Sequence, residues 1–318
     1  MKANQGRRTP PPAAAAGRSS RQYWDALAAA YQRETVISCR DVHYGPLVPG
    51  DRALGILPAE VAGRRCLEVG CGAAQNAICL ARRGARCTAT DISAAQLQAG
   101  RRLAGRHRVD IAFVQADMQA LPFLPGPHFD LVLSAYALPF VADPAAGIAA
   151  MAALLRPGGT LVLSTAHPVA AGEWLEVDGE PGIFLPSYFE PPQDRRRGGG
   201  GRAVCRPVPL STVFAWLTGA GLVVEALCEP KALPVRDCTA AQLRSRAPYW
   251  SPAWLALAEE LTRVPVVAVF RASRPALSVP PRKKSARAVE QNAMGKVSFD
   301  RSSGPARARD DRQRSRQI

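Results

Sequence analysis

The sequence predicts an α/β fold, a three-layer sandwich with helices on both faces of a mostly parallel sheet. Three observations predict it. Short apolar runs alternate with helix-length stretches from Arg64 to His167, the pattern of a parallel sheet buried on both faces. The first run meets a tight Gly70-Cys71-Gly72 turn, and the second and third end in acids, Asp91 and Asp117. After His167 the alternation breaks, and core-like runs resume only at Pro209.

Taken in order, Tyr23, Trp24, Leu27 and Tyr31 recur at helical spacing and predict an amphipathic helix over the cleft. A polar-aromatic turn, Asp41 to Pro46, leads to a short helix around Arg52 to Leu57. Cys66, Leu67 and Val69 form the first core strand, and Gln75 to Arg83 a helix stopped by Gly84, before the strand that ends in Asp91. Ile111 to Asp117, followed by Met118, reads as the third strand, and Phe129 to Ser134 as the fourth. In Leu154-Leu155-Arg156-Pro157-Gly158-Gly159 the proline stops a helix and the glycines permit reversal into a fifth strand, Thr160 to Thr165. Residues 168–208 scatter Trp174, Phe184, Tyr188 and Phe189 among Pro, Gly and charges; 195–201 is expected to be a flexible loop and the aromatics a substrate roof. Ser211 is the expected N-cap of a helix over Thr212 to Thr218, closed by Gly219 and Gly221. Leu222 to Cys228 reads as the sixth strand, Tyr249 to Thr262 as a helix, and Val264 to Ala272 as the last strand.

A strand, a glycine turn, a helix, a strand and an acid together suit a nucleoside. Glycines let the backbone approach a ligand that a side chain would exclude, and Asp91 can accept from both hydroxyls of a ribose. A dinucleotide loop needs a third glycine, whose place is taken by Gln75. That counts against an NAD(P)-dependent oxidoreductase. Glu68 would repel a diphosphate but suits the ammonium of an amino acid. Glu68-Val69-Gly70-Cys71-Gly72 followed by Asp91 resembles motif I and its acidic partner in class I S-adenosylmethionine-dependent methyltransferases. The Asp117-Met118 pair, the Ser134 segment and the Leu154 to Gly159 turn follow in register, so the resemblance runs from about Trp24 to Ala272.

This resemblance, to the small-molecule (type 11-like) branch, implies a Rossmann-like seven-stranded sheet with an antiparallel last strand and an N-terminal helical cap. It implies S-adenosyl-L-methionine as cofactor, held by Glu68, Gly70, Cys71, Gly72, Asp91, Ile92, Asp117, Met118 and Ser134, and no metal. The domain is expected at 23–273, with cap helices at 23–60 and a substrate-side insertion at 168–208.

The formal charge of +15 lies mostly in the ends. The first 22 residues carry five basic residues and no acid; residues 274–318 carry twelve basic and four acidic ones. Both stretches, 1–22 and 274–318, are expected to be disordered basic tails. They leave open an RNA methyltransferase that uses them as an electrostatic handle, although the reading keeps a small-molecule acceptor as partner. An acid-poor start also fits an organellar transit peptide, but the expected location is the cytoplasm, with no membrane partner, since no apolar run nears the ~20 residues of a span. None of the eight cysteines forms a C-x-x-C pair, which argues for buried thiols rather than structural zinc. Oligomeric state is not readable.

Methyl transfer to an oxygen, nitrogen or carbon needs alignment and, for a hydroxyl or acidic carbon, a base. His167 follows the fifth strand at the ligand-binding edge, His43 sits in the turn expected over the cleft, and Tyr136 stands where many relatives carry histidine. These three are the candidate catalytic residues. No Asn-Pro-Pro-Tyr motif and no cysteine near this segment speak for nucleobase chemistry. A protein that binds the cofactor without turnover stays open, because the base is unassigned.

Overall fold

The computed structural model describes residues 13–121 and 127–276. Of the expected tails, 1–22 and 274–318, residues 1–12 and 277–318 lie outside the described residues.

In chain order the elements are α1 (Ala13–Glu34), β1 (Val36–Ile37), α2 (Asp51–Leu54), β2 (Arg65–Val69), α3 (Gln75–Arg82), β3 (Arg86–Asp91), α4 (Ala94–His107), β4 (Ile111–Gln115), β5 (Phe129–Ala135), α5 (Pro144–Leu154) and β6 (Leu155–Ala166). Then follow β7 (Glu173–Val177), β8 (Glu180–Phe184), β9 (Asp194–Gly198), β10 (Gly201–Cys205), α6 (Leu210–Gly219), β11 (Val223–Cys228), α7 (Ala240–Arg246), β12 (Tyr249–Trp250), α8 (Pro252–Leu255) and β13 (Val267–Ser273).

Seven strands form the central sheet in the order β11-β13-β6-β5-β2-β3-β4. β2 to β6 run parallel, and β13 is antiparallel to both its neighbours. The last strand is thus inserted between β6 and β11 rather than lying at the edge. Strand parity divides the core. Cys66, Leu131, Leu133 and Val162 pack on one face with Ile78 and Leu97 of α3 and α4. Leu67, Val132, Leu161 and Leu163 pack on the other with Ile148 and Met151 of α5 and Val213 and Leu217 of α6. Chain order reverses at β2, whose neighbours are β3 and β5, so a crevice opens at the carboxyl ends of these strands.

Several expectations are corrected. The first helix begins at Ala13 rather than near Tyr23, so 13–22 is not a disordered tail. The alanine run Ala13 to Ala16 favours helix, and Tyr23 and Ala28 are buried. Residues 195–201 form no loop: they build the β9–β10 hairpin, turned by Gly199 and Gly200 with φ of 56° and 78°. Two positive φ values suit a type I′ turn, which only such residues adopt easily. Ser211 caps nothing, because α6 starts at Leu210 after Pro209. Tyr249 to Thr262 is not one helix, since Tyr249 and Trp250 pair with β1 and Ser251 then caps a single turn opened by Pro252.

Candidate active site

The crevice opens into a cavity of ≈ 1570 Å³ lined by the ends of β2, β3 and β5, by α1, by hairpin β9–β10 and by the segment from Tyr249 to Leu257. Its floor is built as the glycine turn dictates. Gly70 has φ 68°, and a Cβ there would run into the Ala137 side chain. Gly72 has φ 53°, and a Cβ would meet nothing nearer than Gln96 Oε1 at 4.0 Å, so the missing side chain leaves ligand space.

Three carboxylates stand along this wall. Glu68 is 4% exposed, and its Oε2 accepts from Ala77 N at 2.8 Å. Burial, reinforced by the charge of Asp91, pushes its pKa up to about 8. Asp91 accepts from Gly72 N at 2.8 Å and Ser93 N at 2.9 Å, one bond to each oxygen. Lone pairs remain for further donors. Burial raises its pKa to about 6 against the effect of those amides. Asp117 Oδ1 is held by Gln119 N and Nε2 at 3.0 and 2.9 Å, and Met118 packs beside it with 6% exposure. Cys71 and Ile92 complete the floor.

Helix α1 lies over this wall. Asp25 accepts from Ser93 Oγ at 2.6 Å and Ala95 N at 3.1 Å, adding to the N-cap that Ser93 gives α4. Gln32 accepts from Gln75 Nε2 at 3.0 Å and donates to Gln96 Oε1 at 2.9 Å. Gln75, at the place of the missing third glycine, therefore ties the cap to α3. Gly17 brings α1 close to Asp117, where a Cβ would stand 2.9 Å from Oδ2.

The opposite wall is aromatic. Trp24 meets Phe140 edge to face at 5.3 Å, and the Tyr31 and Tyr249 hydroxyls bond at 2.8 Å. His43 is 7% exposed and meets Tyr249 edge to face at 5.1 Å. Its Nδ1 makes no hydrogen bond among the described residues, and burial lowers its pKa to about 3. Tyr136 has φ 60°, a conformation that costs a non-glycine residue about 1–3 kcal/mol. Its N–H bonds to Ser164 O and Oγ, at 3.1 and 3.0 Å, hold it there. Arg196 lies over Phe140, 5.4 Å from the ring centre. Burial raises the phenol pKa of Tyr31, Tyr136 and Tyr249, and the charge of Arg196 opposes it in all three.

Two expected site residues do not join the others. His167 is 4% exposed and does not line the cavity. Its Nδ1 accepts from Val169 N at 3.2 Å and its Nε2 sits 2.7 Å from Glu229, just after β11, so the ring is held on that side of the sheet. Ser134 is fully buried and off the lining, aimed by strand parity with Val132 toward the α5 layer. The aromatics of 168–192 do not roof the cavity either: Phe184 and Phe189 are exposed, and none of Trp174, Phe184, Tyr188 and Phe189 lines it. Arg196, Tyr31, Tyr249 and Trp254 were missed as cavity-lining residues because they come from three distant segments with no shared spacing.

Strand-end acids beside glycine backbone at the carboxyl edge of a mostly parallel sheet are the arrangement of an α/β nucleoside-binding protein. Comparison with known proteins agrees. The model of the methyltransferase domain matches residues 67–163. The ubiquinone biosynthesis O-methyltransferase of Xylella fastidiosa (strain 9a5c) is 32% identical over 180 residues, 56% of this chain and 68% of that protein. That of Alkalilimnicola ehrlichii is 42% identical over 103 residues, but the match spans 32% of this chain and 42% of the relative. The crystal structure of an S-adenosylmethionine-dependent methyltransferase from Mesorhizobium loti superposes with a TM-score of 0.54 at 28% identity, covering 70% of this chain and 95% of that one. The chain belongs to the class I S-adenosylmethionine-dependent methyltransferases, and its cofactor is S-adenosyl-L-methionine.

Proposed function

We propose that the protein transfers a methyl group from S-adenosyl-L-methionine to an oxygen of a planar small-molecule acceptor. One observation carries the reading: a single cavity is lined by acids and glycine backbone and also by aromatics, His43 and Arg196. The names of the two relatives, both O-methyltransferases, support oxygen as the nucleophile.

The bound cofactor would supply a methyl carbon made electrophilic by a positively charged sulfur. Asp91 would accept from the ribose hydroxyls, using the lone pairs that Gly72 and Ser93 leave free. Asp117 would accept from the adenine amino group while Met118 covers a ring face. Glu68 and the Gly70 to Gly72 backbone would hold the amino-acid end, a cation there drawing the Glu68 carboxyl toward its ionised form. On the other side Tyr136 and Trp254, in edge-to-face contact with ring centres 6.4 Å apart, would together form one face against which the acceptor lies and water is excluded. Orientation supplies most of what such a transfer needs.

The His43 imidazole, on the cavity lining and neutral at pH 7, would take the acceptor's proton. Burial that keeps the imidazole neutral also makes it a weak base. The proton would therefore move only as the methyl transfers and the acceptor oxygen becomes positively charged, a demand that is smaller for a phenol than for an alcohol. His167 is not retained in this role. Methyl-labelled cofactor incubated with a panel of phenols tests the reading. A labelled ether that forms with the full chain, and drops at least about tenfold in His43→Phe, is expected. No labelled ether from any phenol, while cofactor binding is intact, would refute it.

A further inference from the structure

The acceptor side of the cavity carries an imbalance of charge that methyl transfer does not use. Hairpin β9–β10 and the residue after it bring five arginines to the lining, Arg195, Arg196, Arg197, Arg202 and Arg206. Among the described residues one carboxylate pairs with them. Asp194 is committed to Arg196, accepting from its Nε and pairing with its Nη2, both at 2.6 Å. Burial works against the Arg196 charge, but this partner outweighs it and raises its pKa.

The other four have no ion pair among the described residues. Strand register sets Arg197 directly opposite Arg202 and Arg195 opposite Val204, and by parity Arg206 continues that face. Like charges facing each other across two strands cost stability. Arg206 is half-buried, and its Nη1 finds only Val204 O at 3.4 Å. Burial first, and Arg195 second, disfavour its charge. A desolvated guanidinium crowded by another, on the wall of a ligand cavity, is an arrangement that an anion would relieve. Backbone holds it in place, since Arg206 N donates to Pro139 O at 2.8 Å beside Phe140.

We propose that the acceptor is an anion, whose carboxylate or phosphate group is bound at the solvent-facing rim of the cavity by Arg195, exposed, and Arg206, half-buried, while its planar body reaches in to the aromatic wall. Arg196, already paired, positions the hairpin over Phe140 rather than supplying the charge. The inference rests on reading this cavity as the acceptor site.

The test is calorimetry on the full chain, with and without saturating S-adenosylhomocysteine. The probes are 3,4-dihydroxybenzoate, its neutral amide 3,4-dihydroxybenzamide, and phenyl phosphate. The acid should bind at least about tenfold tighter than the amide. The double variant Arg195→Gln/Arg206→Gln should bring the two within about twofold and leave S-adenosylhomocysteine affinity unchanged. Phenyl phosphate binding tighter than the acid, with the same loss in the double variant, identifies the anionic group as phosphate and supports the proposal. Equal affinity of all three probes, undetectable binding included, overturns it. So does a preference for acid that survives the double variant. A chain that prefers the acid but does not bind S-adenosylhomocysteine would instead count against the methyl-transfer reading alone.

Discussion

Asp91 is the residue whose loss should be most informative, because the protein and the ligand both draw on it. It organises the glycine turn through Gly72 N and the start of α4 through Ser93 N. Asp91→Ala should weaken S-adenosylhomocysteine binding by more than about tenfold, roughly 1.4 kcal/mol or more. Titration calorimetry checks this, and an unchanged affinity would remove Asp91 from the cofactor site. The two histidines should separate differently. His167→Ala breaks a part-buried bond to Glu229 and frees Val169 N, so it should cost about 1 kcal/mol of stability and lower the melting temperature while S-adenosylhomocysteine affinity holds. A His167→Ala chain of unchanged melting temperature but poor turnover would restore that residue to the chemistry. The floor residues could be read from sequence because a glycine turn and two strand-end acids are local patterns. His167 misled because proximity to a strand end does not say which way the next turn aims a ring.

Among the elements, the cap and hairpin β9–β10 act as a pair. Gly201 lies against α1 so closely that a Cβ would run into Ser19 O and Tyr23 N, while Arg202 N donates to Ser19 Oγ at 3.0 Å. Gly199 leans on Ala26 in the same way. Gly201→Val should therefore lift α1 from the hairpin at a cost of about 1–3 kcal/mol. Trypsin should then cut faster at Arg18 and Arg21, both exposed but protected within the packed helix. Cleavage at the unaltered rate would mean that the helix is held by its polar ties alone. The five parallel strands were legible because short stretches rich in apolar residues alternate with helix-length ones, and a glycine turn or an acid marks several strand ends. The hairpin was not, since three arginines and four glycines in a row look like solvated chain until Gly199 and Gly200 are seen to make a turn and α1 to supply its buried face. The segment from Tyr249 failed for a related reason: pairing of Tyr249 and Trp250 with Val36 and Ile37, more than 200 residues away, leaves no local trace.

At the scale of the whole molecule, acids gathered on one wall couple folding to pH and to the ligand. Burial raises Glu68 from an ordinary 4.5 to about 8 and Asp91 from 3.8 to about 6. A carboxyl raised in the fold binds its proton more tightly there than in the unfolded chain. Its stabilising contribution is complete below the unfolded value and is lost as pH climbs through the folded one. The ligand-free protein should thus lose stability from about pH 4 to 6 through Asp91, and from about pH 4.5 to 8 through Glu68. A cationic ligand reverses the balance, because it favours the ionised carboxylate. Near pH 7 Glu68 is mostly protonated in the free protein, so binding of S-adenosyl-L-methionine should release up to about one proton. Binding enthalpies measured in buffers of different ionisation heat give that number directly. The melting-temperature gain on binding should also widen between pH 6 and 8, about as Glu68 titrates. Glu68→Gln should abolish the proton release and flatten the pH dependence of the free chain's melting temperature above pH 6. Identical binding heats in every buffer would show that Glu68 does not face the cation, and would place the amino-acid end of the cofactor elsewhere on the wall.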